Sequence, residues 1–149
     1  MLPKATAMIE PETGLVISYY FLWDREHAKG EAEGRKPRPA CVVVPLTSKH
    51  GDVVLFPLTS QTPAPERIAI RVPETERKRL KLKGSGPSWI ILDEGNTDRL
   101  TESHHVDPIG YDPLTVAYGV FSRAFMKQVV ITAAQAIRER RVRLVKRDR

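Results

Sequence analysis

Three short segments of this 149-residue chain hold side chains of a kind and spacing that could act on a phosphate. The first is Glu33-Gly34-Arg35-Lys36-Pro37-Arg38-Pro39, which leads into the apolar run Ala40-Cys41-Val42-Val43. Prolines on both sides of Arg38 restrict its backbone. Its guanidinium is permanently charged and presents a planar fork suited to phosphate oxygens. The plainer alternative is a structural pair between Arg38 and Glu33. The second segment, Pro57-Leu58-Thr59-Ser60, ends an apolar stretch with two adjacent hydroxyls. Hydroxyls so placed either cap a turn or hold a phosphate oxygen. The third, Trp89-Ile90-Ile91-Leu92-Asp93-Glu94-Gly95-Asn96, sets two carboxylates directly after an apolar run.

Metal and cofactor chemistry find no such support. His104 and His105 are adjacent, point opposite ways on an extended chain, and have only Glu102 and Asp107 nearby. His50 reads as a solvated turn residue. Phosphate-loop, dinucleotide-binding and nucleophile-elbow patterns are absent from the sequence. The expectation is therefore no metal and no cofactor.

The elements that must position these residues read mainly as strands. Residues 15–21 (LVISYYF) are β-branched and aromatic, and residues 40–44 and 53–58 are continuous apolar runs. Residues 67–72 alternate apolar with polar, and 88–92 form a fifth strand. Between them, residues 24–39 carry Gly30, Gly34, Pro37 and Pro39 and read as a long loop, while 73–82 read as a short helical stretch. Short strands separated by turns predict a small antiparallel barrel over about residues 14–98, not βαβ units. Ser122 then caps a helix to about residue 140, with Phe125, Met126, Val129, Val130, Ala133 and Ile137 as its apolar stripe. Tyr19, Tyr20 and Phe21 read as core, whereas Trp23, at the loop edge, is a candidate stacking surface.

Composition sets the outer limits. Hydrophobic residues make up 41% and charged residues 28%, which predicts one globular domain over residues 1–149. The first fourteen residues hold no apolar leader and no run approaches a membrane span, so no membrane partner is expected. Cys41 is the only cysteine, which fits a reducing cytoplasm. Net charge is +6, of which residues 138–149 alone supply +5, so the basicity is largely that of a tail. A second cluster is Arg77, Lys78, Arg79, Lys81 and Lys83. Either could meet phosphates or simply be solvated.

In order and spacing, the three segments together resemble the MazF/PemK family of toxin endoribonucleases. The match runs through Glu33…Arg38-Pro39-Ala40-Cys41-Val42-Val43, then residues 53–60, and more loosely Asp93-Glu94 with Thr97-Asp98. The resemblance implies an SH3-like β-barrel with a long C-terminal helix and a homodimer partnered by a cognate antitoxin protein. It also implies metal-free cleavage of single-stranded RNA such as mRNA by 2′-OH attack. On that footing Arg38, Thr59 and Asp93 are the catalytic set, with Ser60, Glu33, His27 and Trp23 as RNA contacts. Two departures stand out: Ile91 and Asn96 occupy positions where the family carries arginines. Two other readings follow from the same residues. One is a barrel of this shape that binds RNA, DNA or a protein without cutting. The other is a DNA-binding regulator using Lys127, Gln128, Gln135 and Arg138 on the C-terminal helix.

Overall fold

A computed structural model describes residues 9–48, 51–82, 84 and 86–148; His50, Lys83 and Arg149 lie outside the described residues. The first half runs β1 (Leu15–Tyr19), α1 (Asp24–Ala28), β2 (Arg38–Val43), β3 (Asp52–Thr59), β4 (Ala69–Arg71) and α2 (Glu74–Arg79). The second half runs β5 (Trp89–Ile91), β6 (Glu94–Arg99), a 3-10 turn at Leu100–Glu102, β7 (Gly110–Tyr111), β8 (Leu114–Thr115), β9 (Ala117–Val120), α3 (Arg123–Arg138) and β10 (Arg143–Lys146). The chain is mainly β with one long helix near its C-terminus. No helix among the described residues is long and apolar enough to cross a membrane.

The main sheet has the order β10-β6-β3-β2-β1-β9, and β5 and β4 extend it from β3. All pairings are antiparallel except β10 on β6. Strand β3 is the turning point. Its first half pairs with β6 through Leu55, and its end pairs with β5 from Leu58. Pro57 falls in the gap between these two neighbours, where its missing N–H deprives no ladder. The expected closed barrel is not formed: the sheet is open. A helix occupies the free edge of β9 instead. Arg79 on α2 donates to the Val120 carbonyl at 2.8 Å, and Glu76 accepts from the Ser122 N–H at 2.5 Å.

Apolar residues are buried on both faces of this sheet, as the continuous runs in β2 and β3 require. Val16, Cys41, Phe56 and Leu58 belong to one cluster with Phe125, Met126, Val129 and Ala133 of α3. Their neighbours Leu15, Ile17, Ala40, Val42, Val53 and Leu55 belong to the other. That split is the period-two alternation of a strand.

Helix α3 starts where expected, with the Phe125 N–H donating to Ser122 Oγ at 3.2 Å. Its buried stripe differs at the C-terminal end. Ala136 is buried, whereas Ile137 is 50% exposed and Val130 39%. The packed face advances by three residues after Ala133, rather than four, so Ile137 rotates outward. The helix then ends without glycine. Arg140 adopts φ +57°, its N–H donates to the Ile137 carbonyl, and the Arg141 N–H donates to the Ala136 carbonyl. This is a Schellman stop with an arginine in the left-handed position, which costs a side-chain-bearing residue about 1 kcal/mol. Arg140→Gly is expected to stabilise by about 0.5 kcal/mol, because glycine's looser unfolded state offsets part of the gain. A thermal midpoint raised by about 2 °C is the expected reading; a lowered midpoint would show that Arg140 stabilises the fold in another way.

Two further expectations are corrected. Residues 24–39 are not wholly loop, since α1 occupies their first third. Gly34 brings the rest of that segment against the backbone of Tyr20 and Phe21, where an added Cβ would stand 2.6 Å from their carbonyl atoms. Strand β6 (EGNTDR) is strand despite a composition that disfavours it. Lastly, over the described residues 138–148 the expected basic tail is not free. β10 pairs with β6 from Arg143↔Glu94 to Lys146↔Thr97, and Arg147 is 3% exposed. Arg143 is tied to Asp24 at 3.0 Å. Of the second cluster, Arg77 pairs with Glu74 and Arg79 with Glu76.

Candidate functional site

Arg38 opens β2 and Thr59 closes β3. These strands are antiparallel neighbours paired through Ala40↔Pro57. Extending that register by two residues sets Arg38 level with Thr59. Both line one open groove of about 990 Å³, together with Trp23, Arg25, Ser60 and Arg67. The structure thus brings Arg38 and Thr59 to one groove, whereas Asp93 is not among its lining residues.

At the centre, Arg38 and Arg25 both lie over the Trp23 ring, at 5.0 and 5.1 Å from its centroid. Phe21 braces the ring edge-on at 5.0 Å. Trp23 is itself buried, so it acts as a platform for guanidinium groups. The other charges around it are committed. Glu26 accepts from the Trp23 N–H and from Arg35, whose remaining contact is Glu31 at 2.7 Å. Among the described residues no carboxylate lies within ion-pair distance of Arg38, and its buried Nε has no hydrogen-bond partner. Burial lowers the Arg38 pKa; Glu26 opposes this and Arg25 adds to it. The guanidinium nevertheless remains cationic at neutral pH. A half-buried cation with an idle donor is the arrangement an anionic oxygen completes.

Thr59 Oγ1 accepts from the Gln61 N–H at 3.1 Å, which holds the turn after β3 and leaves the hydroxyl hydrogen to donate. Ser60 is exposed at the groove rim. Asp93 is less available than expected. Arg67 forks onto it with contacts of 2.7 and 2.8 Å, the Ile68 N–H donates to it at 3.1 Å, and Arg67 also reaches Glu94 at 2.7 Å. Burial alone would raise the Asp93 carboxyl; Arg67 and the Ile68 N–H outweigh it and hold the group below the usual carboxylate range. Asp93 is thus an ionised partner of a groove-lining arginine.

Two expected contacts lie elsewhere. Glu33 is exposed and does not line the groove, and it makes no ion pair with Arg38. His27 is exposed beside a separate, smaller hollow with Lys146 and Asp148. Of the paired histidines, His104 is exposed and His105 buried, and no cluster of three metal-ligating side chains occurs among the described residues.

Sequence reasoning missed Arg67, which looked like the solvent side of an alternating strand. The β4–β5 register, Ala69↔Ile91, sets it level with Asp93 when extended by two residues. It also missed the far end of the groove, where Ser18 of β1, Tyr118 of β9 and Asp107 line the wall. Burial raises the Tyr118 phenol; Ser18 opposes this and Asp107 reinforces it, so the group is a proton donor at neutral pH. Compared with known proteins, the chain matches no family model and no curated sequence.

Proposed function

We propose that this groove binds the phosphodiester backbone of single-stranded RNA and cleaves it without a metal, in the manner of the MazF/PemK toxins. The observation that carries the reading is Arg38: a half-buried guanidinium with no carboxylate partner among the described residues, stacked on Trp23 and level with Thr59. The chemistry asked of the site is attack by a ribose 2′-oxygen on the adjacent phosphorus. The P–O5′ bond breaks, leaving a 2′,3′-cyclic phosphate and a 5′-oxygen that takes a proton from solvent to become the 5′-hydroxyl. Arg38 supplies charge to the non-bridging oxygens, and Thr59 and Ser60 donate to one of them. Arg67 is the second cation, standing in for the arginine that Ile91 replaces. In this scheme a bound phosphate draws Arg67 from Asp93, and the released carboxylate accepts the 2′-hydroxyl proton. An SH3-like relationship, a homodimer, an antitoxin partner and a cytoplasmic site of action belong to the same proposal.

The Arg67–Asp93 fork favours a second reading, in which the base stays occupied and the groove binds RNA without cutting it. An RNA cleavage assay in EDTA, scored for cyclic-phosphate ends, separates the two. Cyclic ends from wild-type protein are the expected outcome. Intact RNA that nevertheless binds in a salt-dependent way would leave the second reading standing.

A further inference from the structure

The far end of the groove carries an unassigned set of polar groups. Strand order and register place it: β3, β2, β1 and β9 are successive neighbours, and Arg38 pairs with Tyr19 while Ser18 pairs with Pro39, so Ser18 and Tyr118 line the groove from the opposite face of the sheet to Arg38. Strand β9 also stands two strand spacings, roughly 10 Å, from β2. That is a different station from the phosphate position. Asp107 joins Tyr118 there, held by its N–H donating to the Ser18 carbonyl at 2.9 Å. Its carboxylate makes no hydrogen bond or ion pair among the described residues, unlike Glu26, Glu94 and Asp93. An idle two-oxygen acceptor beside a phenolic donor has a specific complement. Among the four RNA bases, only guanine offers two adjacent donors, N1–H and N2–H, next to an acceptor, O6. Adenine and cytosine offer one exocyclic donor beside acceptors, and uracil one donor between two acceptors. Unpaired bases in single-stranded RNA are read on that edge.

We propose that Asp107 and Tyr118 form a guanine-reading subsite, the Asp107 carboxylate accepting from N1–H and N2–H and the Tyr118 hydroxyl donating to O6. This rests on the RNA reading above.

The test uses the full chain and 2′-fluoro uridine decamers, which lack the attacking hydroxyl, bearing one central uridine, guanosine or inosine. Fluorescence anisotropy should show the guanosine decamer binding at least about fivefold tighter than all-uridine, as a forked base contact implies. Inosine, lacking the N2 amino group, should lose most of that gain. Asp107→Asn should abolish the guanine preference, read as the ratio of guanosine-decamer to all-uridine affinity within the variant. Equal binding of all three decamers by the wild type, or guanine preference retained in Asp107→Asn, overturns the subsite alone. Failure of every decamer to bind overturns the RNA reading and this inference with it. The inosine comparison needs no variant, so it stands even where Asp107→Asn does not fold.

Discussion

Arg38→Ala is expected to lower RNA cleavage by about a hundredfold, since removing one preorganised donor to a developing oxyanion costs on the order of 3 kcal/mol in the barrier. The substitution is a clean one. Arg38 makes no ion pair among the described residues, and its Nε has no partner, so its loss orphans no buried acceptor. What the fold gives up is chiefly the stacking on Trp23, worth about 1 kcal/mol. Lost activity in a variant with a near-native thermal midpoint therefore reports on the groove. Arg38→Lys should fall between the two, because an ammonium keeps the charge and loses the planar fork. In a binding assay the alanine variant should also show a shallower salt dependence, by about one phosphate contact. Cleavage at the wild-type rate by Arg38→Ala, with the same cyclic ends, would remove Arg38 from the mechanism.

That Arg38 and Thr59 share a groove was legible because both leave apolar strands joined by a short connection. Antiparallel pairing of such strands brings the start of one beside the end of the other. The strands with apolar runs were legible for the same reason, as was α3 from its stripe and its Ser122 cap. What stayed hidden depends on polar groups satisfied at long range. β6 reads EGNTDR, and nothing local marks it as strand. It is held between β3 and β10, with Asn96 exchanging two hydrogen bonds with the Leu22 backbone at 2.8 Å. Asp98 accepts from the Tyr19 hydroxyl at 2.6 Å and the Ser103 hydroxyl at 2.7 Å. Arg67 finds Asp93 across 26 positions, and only the β4–β5 register reveals it. The C-terminal cations misled most. A run of positive charge ordinarily marks a solvated surface, and here Arg147 is inside.

Arg147→Met is accordingly expected to cost about 3–5 kcal/mol of folding stability, a large share of the roughly 5–15 kcal/mol a domain of this kind possesses. The guanidinium donates to four acceptors: Tyr20 O at 2.6 Å, Asn96 Oδ1 at 3.1 Å, Ala32 O at 3.3 Å and His105 Nδ1 at 2.9 Å. It also lies over the Tyr19 ring at 5.5 Å. Because arginine only donates, His105 Nδ1 must accept, which places the imidazole proton on Nε2 facing Asp148 Oδ1 at 3.1 Å. One side chain thus ties the end of β1, the loop before β2, β6 and the segment before β7 to the C-terminal strand. Methionine fills most of the volume and satisfies none of the acceptors; Asn96 Oδ1 keeps the Leu22 N–H, but the Tyr20 carbonyl and His105 Nδ1 lose the guanidinium and carry the cost of unmet polar groups. Urea unfolding should show the midpoint falling with an unchanged slope. Ending the chain after Ile137 should be more severe still, leaving β6 an unpaired edge and the protein unfolded rather than merely weaker in RNA binding. A variant at Arg147 within about 1 kcal/mol of wild type would mean that water replaces the guanidinium in this network, and that the pairing of β10 with β6 alone holds the C-terminus in place.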